Sequence, residues 1–326
     1  MQLIDSFNRV HDYLRISITD KCNLRCYYCM PDDLPRGYFS NAVWMSPEEI
    51  NSIASTFIKL GVKKIRITGG EPLVRKEAGR IIELLSRHSL ELAITTNGIY
   101  VDEFIENFRQ AGIKSVNISL DTLKPDRYFS ITRRNYFSKV LSNIYLLLKN
   151  DFRVKVNTVL TKSVNDEEII DFVEWTKEFP LHVRFIEFMP FEGNKWDWNN
   201  GISFEELLKK IKTNYGEKIL RLNDAKNDTA RNFSVNGYKG TFAIISSVTN
   251  PFCDTCNRLR LTADGKMKNC LFSNTETDLL TPLRNGEDIV PLILQSVQGK
   301  KEVRAGITTL DEFAKQKNRA MVAIGG

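Results

Sequence analysis

Over residues 13–188, short apolar runs rich in β-branched side chains alternate with longer stretches whose apolar positions recur every three or four residues. The short runs predict strands over 13–19, 63–68, 92–96, 115–120, 153–160 and 182–188. The longer stretches predict helices over 47–60, 76–86, 101–111, 136–150 and 166–179. Local signals agree at several ends. Ser46 precedes Pro47 and stands three residues before Glu49, the arrangement of a capping box opened by proline. Gly61 and Gly112 stand where two of the helices should stop. Six strands separated by helices imply parallel pairing through crossovers, which a doubly wound sheet and a full or partial barrel both satisfy.

The polar residues inside the strands separate the two. Arg15, Arg66, Lys155 and Arg184 each interrupt an apolar run, and Lys64 shares the strand face of Arg66. One basic residue in a strand ordinarily marks its solvent face. Parallel strands, however, are usually covered on both faces and read as continuous apolar runs, and buried cations need partners. Basic residues repeated across successive strands favour a barrel whose interior receives an anion. The expected fold is therefore α/β, an incomplete (β/α)6 barrel over residues 1–215 with a C-terminal α+β extension over 216–326. In that extension the rhythm changes. A helix over 203–213 leads into a polar, Asn-rich stretch over 223–238, then a short apolar strand over 241–248. Residues 194–201 and 223–231 are the stretches that read as unstructured, and no solenoid repeat or low-complexity tract occurs.

Bulk composition narrows the class little. A hydrophobic share of 42% and a charged share of 26% suit a globular chain of 326 residues with a sizeable core. The net charge of +6, from 46 basic and 40 acidic residues, fits a nucleotide ligand, a nucleic acid or a plain hydrated surface. Residues 1–9 show neither a signal peptide's apolar run nor a transit peptide's Arg/Ser bias. No apolar run approaches the roughly 18 residues of a membrane span, so the expected location is cytoplasmic.

The six cysteines change the picture. They form two triplets, Cys22, Cys26 and Cys29, then Cys253, Cys256 and Cys270. In a reducing compartment such groups point to metal or redox chemistry, whereas three disulfides suit a small secreted scaffold. The first triplet follows the first strand, at the end of the strands where barrel enzymes carry their chemistry. A closed zinc site wants four ligands, and so does an ordinary [4Fe–4S] cluster. Three cysteines with no evident fourth ligand predict an iron with an open position; His11 precedes the strand and is poorly placed to complete the set. The second triplet also lacks a nearby fourth ligand, and on spacing alone both zinc and a cluster stay open there.

The motif Cys22-Asn-Leu-Arg-Cys26-Tyr-Tyr-Cys29 resembles the signature of the radical S-adenosylmethionine (SAM) superfamily, and Gly69-Gly70-Glu71-Pro72 resembles that family's cofactor segment. The resemblance implies a [4Fe–4S] cluster on Cys22, Cys26 and Cys29 whose open iron chelates SAM and cleaves it to a 5′-deoxyadenosyl radical. Tyr28, Gly70, Glu71, Ser119 and Met189 match its SAM-contacting positions. Taken alone, Ser119 would be a strand end and Met189 core packing.

The run Pro251-Phe-Cys253-Asp-Thr-Cys256-Asn-Arg258-Leu-Arg260, with Cys270 beyond, is similar to the GTP 3′,8-cyclase family of molybdenum-cofactor biosynthesis. That similarity spans nearly the whole chain. It implies a second [4Fe–4S] cluster on Cys253, Cys256 and Cys270 that binds the guanine of GTP. It also implies substrate contacts from Arg15, Lys64, Arg66, Thr95, Lys155, Arg184, Arg258 and Arg260, and a Gly325-Gly326 tail inserted toward the site. Arg258 and Arg260 alternate with leucines and so share a strand face. The implied partners are GTP, a low-potential donor of flavodoxin or ferredoxin type, and cyclic pyranopterin monophosphate synthase as consumer of the product, in a monomer or homodimer with no nucleic acid or membrane. Lys21 and Arg133–Arg134 depart from the family pattern, where an arginine and a glycine-containing turn are usual. Two rivals remain: a peptide-modifying radical enzyme, which would want more C-terminal cysteines, and a zinc or iron–sulfur protein that binds nucleic acid, which leaves Gly69–Pro72 unexplained.

Overall fold

The computed structural model describes residues 2–30, 44–316 and 318–325. Its core is the sequence β1 (Tyr13–Ser17), α1 (Pro47–Lys59), β2 (Lys64–Thr68), α2 (Ala78–Ser86), β3 (Glu91–Thr96), α3 (Val101–Gln110), β4 (Ser115–Ser119), α4 (Pro125–Thr132), α5 (Phe137–Lys149), β5 (Arg153–Leu160), α6 (Ile169–Glu178) and β6 (His182–Glu187). Helix α7 (Phe204–Tyr215) leads into β7 (Ile219–Arg221), β8 (Arg231–Val235), β9 (Thr241–Ile245), β10 (Arg258–Leu261), β11 (Lys266–Lys268) and β12 (Thr277–Asp278). Four short helices end the chain: α8 (Leu280–Arg284), α9 (Val290–Gln298), α10 (Leu310–Ala314) and α11 (Met321–Ile324).

All six predicted strands form, and the boundaries agree to within one or two residues. Ser46 and Glu49 make the expected reciprocal capping box at α1. Gly61 and Gly112 take φ of 98° and 66° just past their helices, a left-handed turn that a Cβ disfavours. Helix α4 has no counterpart among the helices the sequence predicts; it is two turns long and closes on Arg133 at φ 57°. The polar stretch after residue 223 enters strand β8, and a 3-10 turn, Trp198–Asn200, falls within 194–201.

One sheet carries the twelve strands of the described residues in the order β12-β11-β10-β1-β2-β3-β4-β5-β6-β9-β8-β7. From β10 to β9 every pairing is parallel, and antiparallel strands extend both ends. Because β1 to β6 lie in sequence order, right-handed crossovers place their helices on one face. Side-chain alternation shows the consequence. Leu14 and Ile16, Ile65 and Ile67, Val183 and Phe185, and Leu259 and Leu261 are buried in the main core. Their alternating neighbours Arg15, Arg66, Arg184, Arg258 and Arg260 face the other way. Side chains from β1, β4, β5, β6 and β10 line a single cavity, so the sheet curls around that face. Arg260, Arg15 and Arg66 stand level with one another on β10, β1 and β2, a rung of three guanidinium-bearing positions. No helix among the described residues is long and apolar enough to cross a membrane.

Candidate active site

Two adjoining cavities occupy the concave face. Cys22, Cys26 and Cys29 line the first, together with Gly69, Gly70, Tyr28, Thr95, Ser119 and Met189. Cys253, Cys256 and Cys270 line the second, together with Arg15, Arg184, Arg258 and Arg260. Asn157, Ile186, Met189 and Met321 border both. None of the six thiols is in a disulfide. Among the described residues, neither triplet converges on a point as a one-ion site requires; each borders a volume.

The first cavity is built from the loops after β1, β2 and β3. Gly70 N–H donates to Thr19 O at 2.6 Å, and Glu71 N–H donates to Lys21 O at 2.8 Å. A Cβ on Gly70 would lie 2.4 Å from Lys21 O, and one on Gly69 would lie 2.7 Å from Thr19 O. The glycine pair therefore serves first to let the β2 loop lie against the backbone of the cysteine loop. Glu71 is buried, and its carboxylate accepts from Leu73 N–H, Thr96 Oγ1 and Asn97 N–H at 3.0, 2.7 and 2.6 Å. It staples the β2 and β3 loops and is absent from the cavity lining. Tyr28 donates its hydroxyl proton to Asp121 at 2.6 Å, and burial pushes the Asp121 carboxyl up to about 6. Burial, with the Glu71 carboxylate behind it, pushes the Cys22 thiol up to about 12; burial also pushes Cys26 and Cys29 up. Such thiols bind iron only by releasing protons.

Two observations show that this cavity fits a metal-bound, polar ligand. Three thiols line it, and among the described residues Thr68 Oγ1 and Thr95 Oγ1 are buried without a hydrogen-bond partner. Among the described residues its lining carries Asp121 and Glu187 and no lysine or arginine. That charge suits a sulfonium.

The second cavity has the opposite character. Among the described residues seven arginines and lysines line it, and no aspartate or glutamate does. Burial, then the charge of a neighbouring guanidinium, brings both Arg184 and Arg260 down to about 9. Cations crowded in this way are relieved by a bound polyanion. Arg184 Nε donates to Asn157 Oδ1 at 2.9 Å, and the Arg258 guanidinium sits 4.7 Å from the Phe252 ring centre. Arg260 donates to Gly325 O at 2.5 Å, which brings the chain's end into the lumen; Gly326 lies outside the described residues. Burial raises the Cys256 thiol, but the Arg258 and Lys300 charges outweigh it and hold the group at about 6.

Beside Glu71, three predicted substrate contacts lie away from both linings. Arg66 donates to the Tyr13 hydroxyl at 2.5 Å and to Ile94 O at 3.0 Å. Lys64 is ion-paired with Glu91 at 2.6 Å, one rung nearer the start of the strands. Lys155 lies in register between Asn117 and His182. Sequence reasoning missed Asn117, Asp121 and Asn157, although each stands two residues from a named position, on the same strand face or just past it. It also missed Lys300, Arg304 and Met321, for which the sequence carries no local signal.

The family model of the Radical SAM superfamily matches residues 16–176, and that of Molybdenum Cofactor Synthesis C matches 181–305. The chain is 43% identical over 334 residues to "GTP 3′,8-cyclase, mitochondrial" of Arabidopsis thaliana, covering 99% of this chain and 83% of that protein. It is 39% identical over 305 residues to the GTP 3′,8-cyclase of Desulforamulus reducens, covering 91% and 94%. The chain belongs to the GTP 3′,8-cyclase family of radical SAM proteins. Molybdenum cofactor biosynthesis protein 1 of Mus musculus is 43% identical over 333 residues, covering 99% of this chain, and the chain spans 51% of that protein's length. In fold the chain resembles Streptococcus suis SuiB bound to S-adenosylmethionine, with a TM-score of 0.67 at 15% identity over 97% of this chain and 78% of that one. Superfamily membership implies a [4Fe–4S] cluster and SAM.

Proposed function

We propose that this chain converts GTP to (8S)-3′,8-cyclo-7,8-dihydroguanosine 5′-triphosphate, the opening step of molybdenum-cofactor biosynthesis, in the cytoplasm. The observation that carries the reading is the pairing of two thiol-lined cavities of opposite charge that share a wall. Cys22, Cys26 and Cys29 hold the first [4Fe–4S] cluster, and Tyr28, Gly70, Ser119 and Met189 surround SAM. Glu71 acts by fixing the loops around it. When bound, this cluster and SAM together supply a 5′-deoxyadenosyl radical.

Cys253, Cys256 and Cys270 hold the second cluster. Arg15, Arg184, Arg258 and Arg260 grip the polyanionic substrate from several strands, which accounts for a nucleotide site without a Gly-rich phosphate loop. Asn157 and Met189, on the shared wall, set the ribose C3′ toward the first cavity. Thr95 stands at the first cavity, and Arg66, Lys64 and Lys155 act from behind the contact surface through the field of the lumen. The C3′ hydrogen would pass to the 5′-deoxyadenosyl carbon, the C3′ radical left behind bonds to C8 of the guanine that the same pocket keeps within reach, and one electron and one proton then complete the 7,8-dihydro ring. Met321 and the tail at Gly325 shield this space from water. A low-potential donor of flavodoxin or ferredoxin type supplies electrons, and cyclic pyranopterin monophosphate synthase takes the product.

The test is an anaerobic assay of reconstituted protein with SAM, dithionite and GTP deuterated at C3′. Deuterium in 5′-deoxyadenosine, with the cyclised nucleotide beside it, is the expected result. Deuterium-free 5′-deoxyadenosine would leave the superfamily chemistry in place and remove GTP as its substrate.

A further inference from the structure

Lys300 follows α9 and is only 4% exposed, yet among the described residues it forms no ion pair with a carboxylate. Its ammonium lies 3.5 Å from Cys256 Sγ and donates to Arg258 O at 3.2 Å and Asn269 O at 2.6 Å. These three atoms belong to a cluster cysteine, to the strand that leaves it, and to the residue before Cys270. One cation therefore ties together both segments that carry the second triplet. The segment holding it is itself fixed. Arg9 donates to Lys301 O at 2.9 Å and Glu302 O at 2.5 Å, and also to Cys253 O at 3.0 Å.

A buried ammonium is costly without an anion to answer it. Two carbonyls satisfy its hydrogen bonds but not its charge. The remaining neighbour is the Cys256 sulfur, which bears negative charge when it ligates iron. The field at this triplet contrasts with that at the first, whose cavity lining carries carboxylates and, among the described residues, no cation. Net charge and hydrogen bonds to sulfur are what set an iron–sulfur cluster's potential.

We propose that Lys300 is a positioning residue of the second site, whose charge holds the cluster on Cys253, Cys256 and Cys270 and raises its reduction potential. The inference rests on the reading that this triplet carries a cluster. It requires neither GTP nor SAM, so it fails or stands apart from the cyclase activity.

The test uses the full chain carrying Cys22→Ala, Cys26→Ala and Cys29→Ala, so that iron resides only at the second triplet. Lys300→Met and Lys300→Arg are introduced into it. Iron per chain is measured after anaerobic reconstitution, and the midpoint potential is read by redox titration followed by electron paramagnetic resonance. The expected result is a potential shifted lower in Lys300→Met and near the parent in Lys300→Arg, with similar iron in all three. Loss of iron in Lys300→Met that Lys300→Arg restores also supports the role, because the rescue follows charge. An unchanged potential and iron content in Lys300→Met would overturn the proposal. So would equal losses or equal shifts in both variants, which would mark a requirement for lysine's shape. A parent that takes up no iron would overturn the second-cluster reading and this inference with it.

Discussion

The basic lumen acts directly on the buried phenol of Tyr13. Burial alone would raise its phenol, but Arg66, Arg15 and Lys64 outweigh burial and bring it from 10.0 down to about 7. A folded value below the unfolded one means that tyrosinate favours the fold. The contribution is complete above about pH 10 and is lost as pH falls through about 7. Ultraviolet difference spectra of the ligand-free protein should therefore show one tyrosinate forming near neutral pH, missing in Tyr13→Phe. Coincident titrations of the two proteins would mean that the cationic rung does not control this phenol. A triphosphate in the lumen should move the transition upward, because an anion offsets the same charges. A second residue-scale expectation separates the two triplets. Cys22→Ala should abolish 5′-deoxyadenosine formation, whereas Cys253→Ala should keep some and lose the cyclised nucleotide; unchanged cyclisation would remove the second triplet from substrate handling. The cysteines were legible because three ligands must come from short spacings. Lys300 and Arg304 were not, since they reach the site from a loop whose position only the folded chain decides.

Among the elements, the contact between the β1 and β2 loops leaves no room for a side chain. Gly70 packs on the carbonyl of Lys21, and the obstructing atoms are backbone, which cannot rotate aside. Gly70→Ala should destabilise the fold by roughly 1–3 kcal/mol, the range for forced overpacking, and should cost iron at the first triplet more than at the second. Gly112→Ala is the control. At φ 66° with nothing within 4 Å it carries a conformational cost alone, and its iron content should match the parent. Urea unfolding and iron analysis read both variants, and equal iron in Gly70→Ala would show that the cysteine loop tolerates the displacement. The strands and long helices of the first half were readable because each pairs a clear period with a cap or glycine stop, as at Ser46 and Gly61. Helix α4 escaped notice because two turns carry little periodicity and its stop is an arginine. Strand β8 lay hidden in a polar stretch, since pairing with β9 supplies what its side chains do not.

The whole molecule depends on strands that the C-terminal third lends to the sheet. β10 pairs with β1 on one side of the six-stranded core and β9 pairs with β6 on the other. Polar links reinforce both junctions. Asn257 donates to Asp12 at 2.6 Å, and Val248 N–H donates to Glu187 at 2.7 Å, beside the shared wall of the two cavities. Residues 1–215 alone would leave the edges of β1 and β6 unpaired, and an unpaired, apolar parallel edge invites association with other chains. Arg9 would lose the Cys253, Lys301 and Glu302 carbonyls that now receive its donors. A chain ending at residue 215 should therefore associate on size-exclusion chromatography and unfold without a cooperative transition, whereas the full chain should stay unassociated and unfold sharply. A monomeric fragment with a sharp transition would mean that the barrel portion folds by itself and the extension docks afterwards. The sequence pattern marked a change of rhythm near that point, but period and spacing describe one segment at a time. That two strands from the later segment would complete the sheet at opposite edges, enclosing a lumen lined by both cysteine triplets, depends on long-range pairing that no local pattern encodes.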